Sequence, residues 1–229
     1  KLFDPKLKFK DLGLLIVDEE HRFGVKQKEE ITKRRLDVNI LTMTATPIPR
    51  TLNSALSGIR DLTLITTPPR ARLSVKTFVH EYNEDLIKDA INREINRGGQ
   101  VYFVHNDITS ITSIANRIAE VIPDSICAIA HGQMKEIELE KIMLNFKQRR
   151  INVLFCTTII ETGIDIGSAN TIIVNKAENF GLAQMHQLRG RVGRSFLQGY
   201  SYFLYNSEKP LPRDAEKRLD VLVKHQDLG

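Results

Sequence analysis

The sequence predicts an α/β protein built on an open parallel sheet flanked by helices, and three observations carry that prediction. Short runs rich in Val and Ile recur along the chain, longer segments of helical period separate them, and strand and helix alternate as right-handed crossovers require. The 229 residues amount, at about 150 per domain, to one and a half domains. A chain that is 41% hydrophobic and 27% charged, with 13 Gly and 8 Pro, has enough apolar side chains for a core and is neither disordered nor collagen-like.

The elements follow in order. Residues 12–17, 38–43 and 62–65 are apolar runs of strand length, expected as buried parallel strands. Pro68-Pro69, followed by Arg70-Ala71-Arg72, breaks the pattern, because two prolines cannot join a helix or a central strand, and this stretch is the expected linker. A second series begins after it, with strands at 75–79, 100–104, 125–130, 152–156, 171–174 and 200–205. Helices are expected between them at 85–97, 108–121 and 134–146, the last with Ile137, Leu139, Ile142, Met143 and Phe146 at near-helical spacing. Residues 213–226 read as a charged amphipathic helix.

Several function classes drop out. No run approaches the roughly 18 to 20 uncharged apolar residues of a membrane span, and Lys1-Leu2-Phe3-Asp4-Pro5 lacks the apolar stretch of a signal peptide, so a soluble cytoplasmic location with no membrane partner is expected. Cys127 and Cys156 each lie inside an apolar run, which suits buried reduced thiols better than a disulfide or a zinc site. The net charge of +5 is uneven, with 13 Lys and Arg against 9 Asp and Glu in the first 70 residues, but charge of this size does not identify a nucleic-acid protein.

In open parallel sheets ligands sit at the carboxyl ends of strands, so polar residues that follow an apolar run carry the chemistry. Asp18-Glu19-Glu20-His21 follows the first strand. An Asp there can hold Mg²⁺ and the next Glu can orient or deprotonate water, although the tetrapeptide also fits a solvated turn. Thr44 and Thr46 follow the next strand and are placed to hydrogen-bond the Asp18 and Glu19 carboxylates, or simply to end the strand before Pro47.

Thr157 and Thr158, after the strand at 152–156, offer hydroxyls to phosphate oxygens. Gly163 permits close backbone approach and Asp165 can accept from a ribose hydroxyl, against a plain loop. Gln187-Leu188-Arg189-Gly190-Arg191-Val192-Gly193-Arg194 is expected to continue the helix after 182–186. Arg191 and Arg194, three apart, then share a face and serve as arginine fingers rather than as a surface patch. No Gly-x-x-x-x-Gly-Lys-Thr or Gly-x-x-x-x-Gly-Lys-Ser loop occurs, so nothing in these residues cradles a β-phosphate.

In this order, Asp18 to His21, Thr44 to Pro47, Thr157 to Ile166 and Gln187 to Arg194 resemble motifs two, three, five and six of the superfamily-two helicases and translocases. The connecting text, Arg22 to Glu29, Ile48 to Leu52, Ala130 to Met134 and Phe180 to His186, resembles the branch containing RecG and the bacterial transcription-repair coupling factors. Ser57 to Leu62, Thr67-Pro68-Pro69, Asn170 to Ile173 and Glu20 within the second motif favour the coupling factors, with RecG the near alternative. Gly167 departs from the branch, where proline is expected.

The resemblance implies a RecA-like fold in which residues 1–68 are the end of a first helicase lobe whose phosphate loop lies upstream, 69–212 are the second lobe, and 213–229 open a helical translocation hairpin. It further implies ATP and Mg²⁺ as cofactors, with Asp18 on the metal, Glu19 on the hydrolytic water and His21 linking the nucleotide site to the lobe interface. By the same resemblance Thr44 and Thr46 couple nucleotide state to DNA, Gly163 and Asp165 approach the nucleotide, and Gln187, Arg191 and Arg194 reach its phosphates across the interlobe cleft. His105, Asn106, His131, Gly132, Gln133, Thr157 and Thr158 are implied nucleic-acid contacts.

The expected function is part of an ATP-driven double-stranded DNA translocase that displaces stalled RNA polymerase and hands lesions to excision-repair proteins, both bound through regions outside these residues. The alternatives are RecG-type remodelling of forks and branched DNA, or a non-catalytic DNA- or protein-binding module, since the isolated 229 residues are expected to be inactive. A metal-hydrolase reading of Asp18, Glu19, His21 and a distant histidine leaves Arg191 and Arg194 without a role.

Overall fold

The computed structural model describes residues 9–19, 23–24, 38–44, 61, 63–65, 73–158, 165–206 and 210–224. The chain divides into two compact units, Lys1–Thr66 and Thr67–Gly229. The expected linker at 68–72 lies outside the described residues.

In the first unit, β1 (Leu14–Asp18) and β2 (Asn39–Met43) pair in parallel, with Asp18 opposite Met43. The period of two sends Leu15 and Val17 inward against Phe23, Val38 and Ile40. Leu14, Ile16, Leu41 and Met43 point the other way and remain exposed. Of the strand expected at 62–65, Leu62 lies outside the described residues, while residues 63–65 form no strand and Ile65 is 93% exposed. The run leads directly into Pro68-Pro69, which donate no backbone hydrogen bond.

The second unit is a six-stranded parallel sheet in the order β3 (Lys76–Glu81), β8 (Tyr200–Tyr205), β7 (Ala169–Asn175), β4 (Gln100–Val104), β6 (Val153–Cys156), β5 (Cys127–Ala130). Five helices cover it: α1 (Glu84–Asn96), α2 (Ile108–Val121), α3 (Glu136–Lys147), α4 (Leu182–Arg189) and α5 (Arg213–Lys224).

Each strand contributes to two cores. Val101, Phe103, Phe155, Ile173 and Leu204 pack with Ile87 and Ile91 of α1 and Ile111 and Ile118 of α2. Tyr102, Val104, Leu154, Ile172 and Phe203 pack on the opposite face with Phe146 of α3, Leu188 of α4 and Leu222 of α5. Cys156 is fully buried and Cys127 half-buried, both unpaired, and burial pushes both thiols upward.

The amino ends of the strands are closed by polar side chains. Gln100 donates to the carbonyls of Phe146 and Ile151 and accepts from Ser168. Buried Glu94 pairs with Arg97 and accepts from Thr171. A Cβ at Gly99 would collide with the Glu94 carboxylate as it is placed here, so a side chain there would make that carboxylate shift. At the carboxyl ends of the adjacent strands β4 and β7 the connections leave in opposite directions, through α2 on one face and α4 on the other. Among the described residues no helix is long and apolar enough to cross a membrane.

Candidate functional site

In the first unit the polar residues collect at the carboxyl ends of β1 and β2. Asp18 closes β1 with its side chain exposed. Glu19 follows at φ +51°, a left-handed conformation rare for a residue with a Cβ and concentrated at functional positions. Its backbone N–H donates to the Met43 carbonyl at 2.9 Å, and the Thr44 hydroxyl donates to Glu19 Oε2 at 3.4 Å. The Thr44 hydroxyl thus reaches the Glu19 carboxylate from the neighbouring strand, as a long contact in an exposed setting. His21 and Thr46 lie outside the described residues.

In the second unit Arg194 Nη1 lies 3.1 Å from Asp165 Oδ1, and Arg194 Nε donates to the Gly190 carbonyl at 3.0 Å. Burial pushes the Tyr102 hydroxyl, in the middle of β4, upward. Asp165 therefore meets an arginine while remaining exposed at the surface. Gly163 lies outside the described residues, and Gln187 is half-buried on α4.

The helix expected through 187–194 ends at Arg189, so Arg191 and Arg194 do not share a helical face. Gly190 caps α4, and Gly193 adopts φ +69°. A Cβ on Gly193 would lie 2.8 Å from Val75 Cγ2, and one on Gly199 would lie 2.8 Å from Gly193 Cα. The two glycines let the loop press against the start of β8, with Val192 buried beneath, and it is this loop that aims the arginines.

Arg189 received no role from the sequence, yet it is buried and donates to the Leu222 carbonyl at 3.3 Å and to His186 Nδ1 at 3.0 Å. Burial lowers its affinity for the proton. It fastens α5 to the helix that precedes half-buried Arg191 and exposed Arg194. The available signal was its place four residues after Met185, on the inward face of α4.

At the ends of β4, β5 and β6 the expected nucleic-acid contacts separate by exposure. His105 is 1% exposed, with Nε2 2.8 Å from Ser110 Oγ and Nδ1 3.2 Å from Asn175 Nδ2. With both ring nitrogens engaged inside the fold, the side chain that meets solvent here is Asn106. Gly132 and Gln133 are exposed after β5, His131 is half-buried, and Thr158 reaches the surface while Thr157 is nearly buried. Among the described residues no three His, Cys, Asp or Glu side chains converge as metal ligands, and His21, which the hydrolase reading needs, lies outside them.

Comparison with known proteins gives the frame for these residues. Residues 82–196 match the helicase conserved C-terminal domain, and residues 1–55 match the DEAD/DEAH box helicase family. The whole chain is 59% identical to the transcription-repair-coupling factor of Escherichia coli (strain K12) and 56% identical to that of Haemophilus influenzae, covering 20% of each. It thus spans about a fifth of the length of these relatives. The structure of RecG bound to a three-way DNA junction superposes with a TM-score of 0.75 at 34% identity, over 96% of this chain and 29% of that one. With the sheet, the loop arginines and the matched half of its length in agreement, the chain belongs to the family of the helicase conserved C-terminal domain, on a RecA-like fold.

Proposed function

We propose that the chain is part of an ATP-dependent double-stranded DNA translocase that displaces stalled RNA polymerase and couples transcription to excision repair. The observation that carries the reading is Glu19, held in a left-handed turn and within reach of Thr44 at the carboxyl edge of two parallel strands. The higher identity to coupling factors than to RecG supports the transcription-linked form. On this reading residues 1–68 belong to a first helicase lobe, 69–212 form the second, and 213–229 begin a helical hairpin.

Asp18 and Glu19 supply adjacent carboxylate oxygens at one strand end, a donor set that suits Mg²⁺, which keeps most of its ligands as water and phosphate. The metal, when bound, neutralises phosphate charge. Glu19 orients the attacking water, with the Thr44 hydroxyl within reach of its carboxylate. Arg191 and Arg194 stabilise charge on the transferred phosphoryl group, and Asp165 holds Arg194 ready until a more highly charged anion competes for it. Gln187 and Gly163 take part in nucleotide binding, and His21 and Thr46 join Thr44 in linking nucleotide state to DNA.

Asn106, Gly132, Gln133 and Thr158 contact DNA phosphates, with His131 and Thr157 behind them. Binding is then independent of sequence and falls steeply with salt. RNA polymerase and the excision-repair proteins bind elsewhere in a longer cytoplasmic protein.

The test uses the full-length protein with ATP and RNA polymerase stalled on duplex DNA, scoring transcript release, with Glu19→Gln as control. Release that requires ATP and Glu19 is the expected result. Regression of a model replication fork without polymerase release would keep the translocase chemistry and move the biology to the RecG-type alternative, which the superposition on junction-bound RecG favours.

A further inference from the structure

A chain of hydrogen bonds joins the carboxyl ends of β4 and β7, and none of the roles above uses it. Asn175 Nδ2, at the end of β7, meets His105 Nδ1 at 3.2 Å, and His105 Nε2 meets Ser110 Oγ at 2.8 Å. The Ser110 hydroxyl donates to Asp107 Oδ2 at 2.7 Å, while Asp107 Oδ1 accepts from the Thr109 N–H at 3.0 Å and the Thr109 hydroxyl at 2.7 Å. An amide nitrogen only donates, so Nδ1 accepts and the ring proton sits on Nε2. The bonds therefore run in one direction, from the end of β7 through His105 to the cap of α2.

The Ser110, His105 and Asp107 trio is not a nucleophile triad. The carboxylate takes the hydroxyl proton directly, and the imidazole presents a proton to the serine oxygen, so no base is free to activate it. Burial and the nearby Lys176 charge lower the affinity of the ring for a second proton, which favours the neutral form. His105 and Asn175 are both buried, where such bonds are shielded from competing water. Asn106 stands exposed between the two anchored side chains, His105 and Asp107.

We propose that His105 is a positioning residue for nucleic-acid binding. By tying β7 to the first turn of α2 it fixes the backbone on both sides of Asn106, so that the Asn106 side chain is already placed when a DNA phosphate arrives. The ordering entropy is then lost on folding rather than on binding. This inference rests on the reading of Asn106 as a DNA contact.

The test measures ATP hydrolysis by the full-length protein against the concentration of a blunt duplex of mixed sequence. Asn106→Ala is expected to raise the half-stimulating DNA concentration about three- to tenfold, the scale of one hydrogen bond. His105→Phe should raise it by a similar factor while leaving DNA-free hydrolysis and the maximal rate unchanged. Combined with Asn106→Ala it should add nothing further. Ser110→Ala, a milder change at a half-buried side chain, should follow His105→Phe, and Ser110→Thr should restore the wild-type value.

Additive effects in the double variant, or normal half-stimulation in both His105→Phe and Ser110→Ala beside a shifted Asn106→Ala, would overturn the positioning role and leave the DNA contact standing. An unshifted Asn106→Ala would overturn the contact and the inference together.

Discussion

Arg194 is held by two partners of unequal permanence, a backbone carbonyl of its own loop and an exposed carboxylate on another. An ion pair with Asp165 66% exposed contributes little to folding, so Asp165→Asn should change thermal stability by less than about 1 kcal/mol. Arg194→Ala in the full-length protein should instead reduce ATP hydrolysis by at least about tenfold, as loss of charge stabilisation in a phosphoryl transfer does. Hydrolysis near the wild-type rate would show that this arginine is not a finger. Asp107 gives a second prediction at this scale. The Ser110 hydroxyl, helped by the hydroxyl and N–H of Thr109, holds its carboxyl down to about 2, below the unfolded value. The cap is thus fully present above pH of about 4 and is lost as pH falls from about 4 toward about 2. A pH titration of the Thr109 amide resonance should have its midpoint near 2, and a midpoint near 4 would mean that the cap does not form.

Among the elements, α5 depends on a side chain of α4, because Arg189 donates to the Leu222 carbonyl in the last turn of α5. Arg218 adds a bond from α5 to the Glu178 carbonyl at 2.9 Å. Arg189→Met keeps the apolar stem and removes the bonds, at an expected cost of about 1–3 kcal/mol. Amide exchange should speed up in α5 and stay unchanged in α1, which packs on the opposite face of the sheet. Equal acceleration in both would mean general destabilisation. The contrast between Arg189 and Arg194 also explains what could be read in advance. Strands at 100–104 and 200–205 and the helix at 108–121 were legible to the residue, since apolar period reports burial directly. The end of α4 was not, because Gly193 acts through a close approach to Val75, a partner far away in the sequence. Nor was the inward turn of His105 and Arg189, since a polar residue satisfied inside a core has the same letter as one in water. The strand expected at 62–65 failed for the complementary reason: apolar residues make a strand only where another strand takes their hydrogen bonds.

Among the described residues the two units differ in how much apolar surface they bury. In the second, whole strands are inaccessible, with Phe103, Phe155 and Phe203 fully buried between helices on both faces. In the first, Leu15 and Val17 form the buried cluster among the described residues, and Ile16 on the other face is 54% exposed. Each fully buried side chain of this size contributes about 1.5–3 kcal/mol, so local stability follows the larger core. Amides of β4 and β7 should therefore exchange only through global unfolding of the second unit, while those of β1 and β2 exchange far faster. Residues 73–224 expressed alone should melt at the temperature of the main transition of the 229-residue chain, because the strands that hold that transition are all present. Equal protection of β1 and β4, with one transition that residues 73–224 alone do not reproduce, would mean that the first unit shares the stability of the second. Such a result would also shift the reading of Glu19, whose left-handed turn would then be held by the whole molecule rather than by Met43 and Thr44 in its own pair of strands.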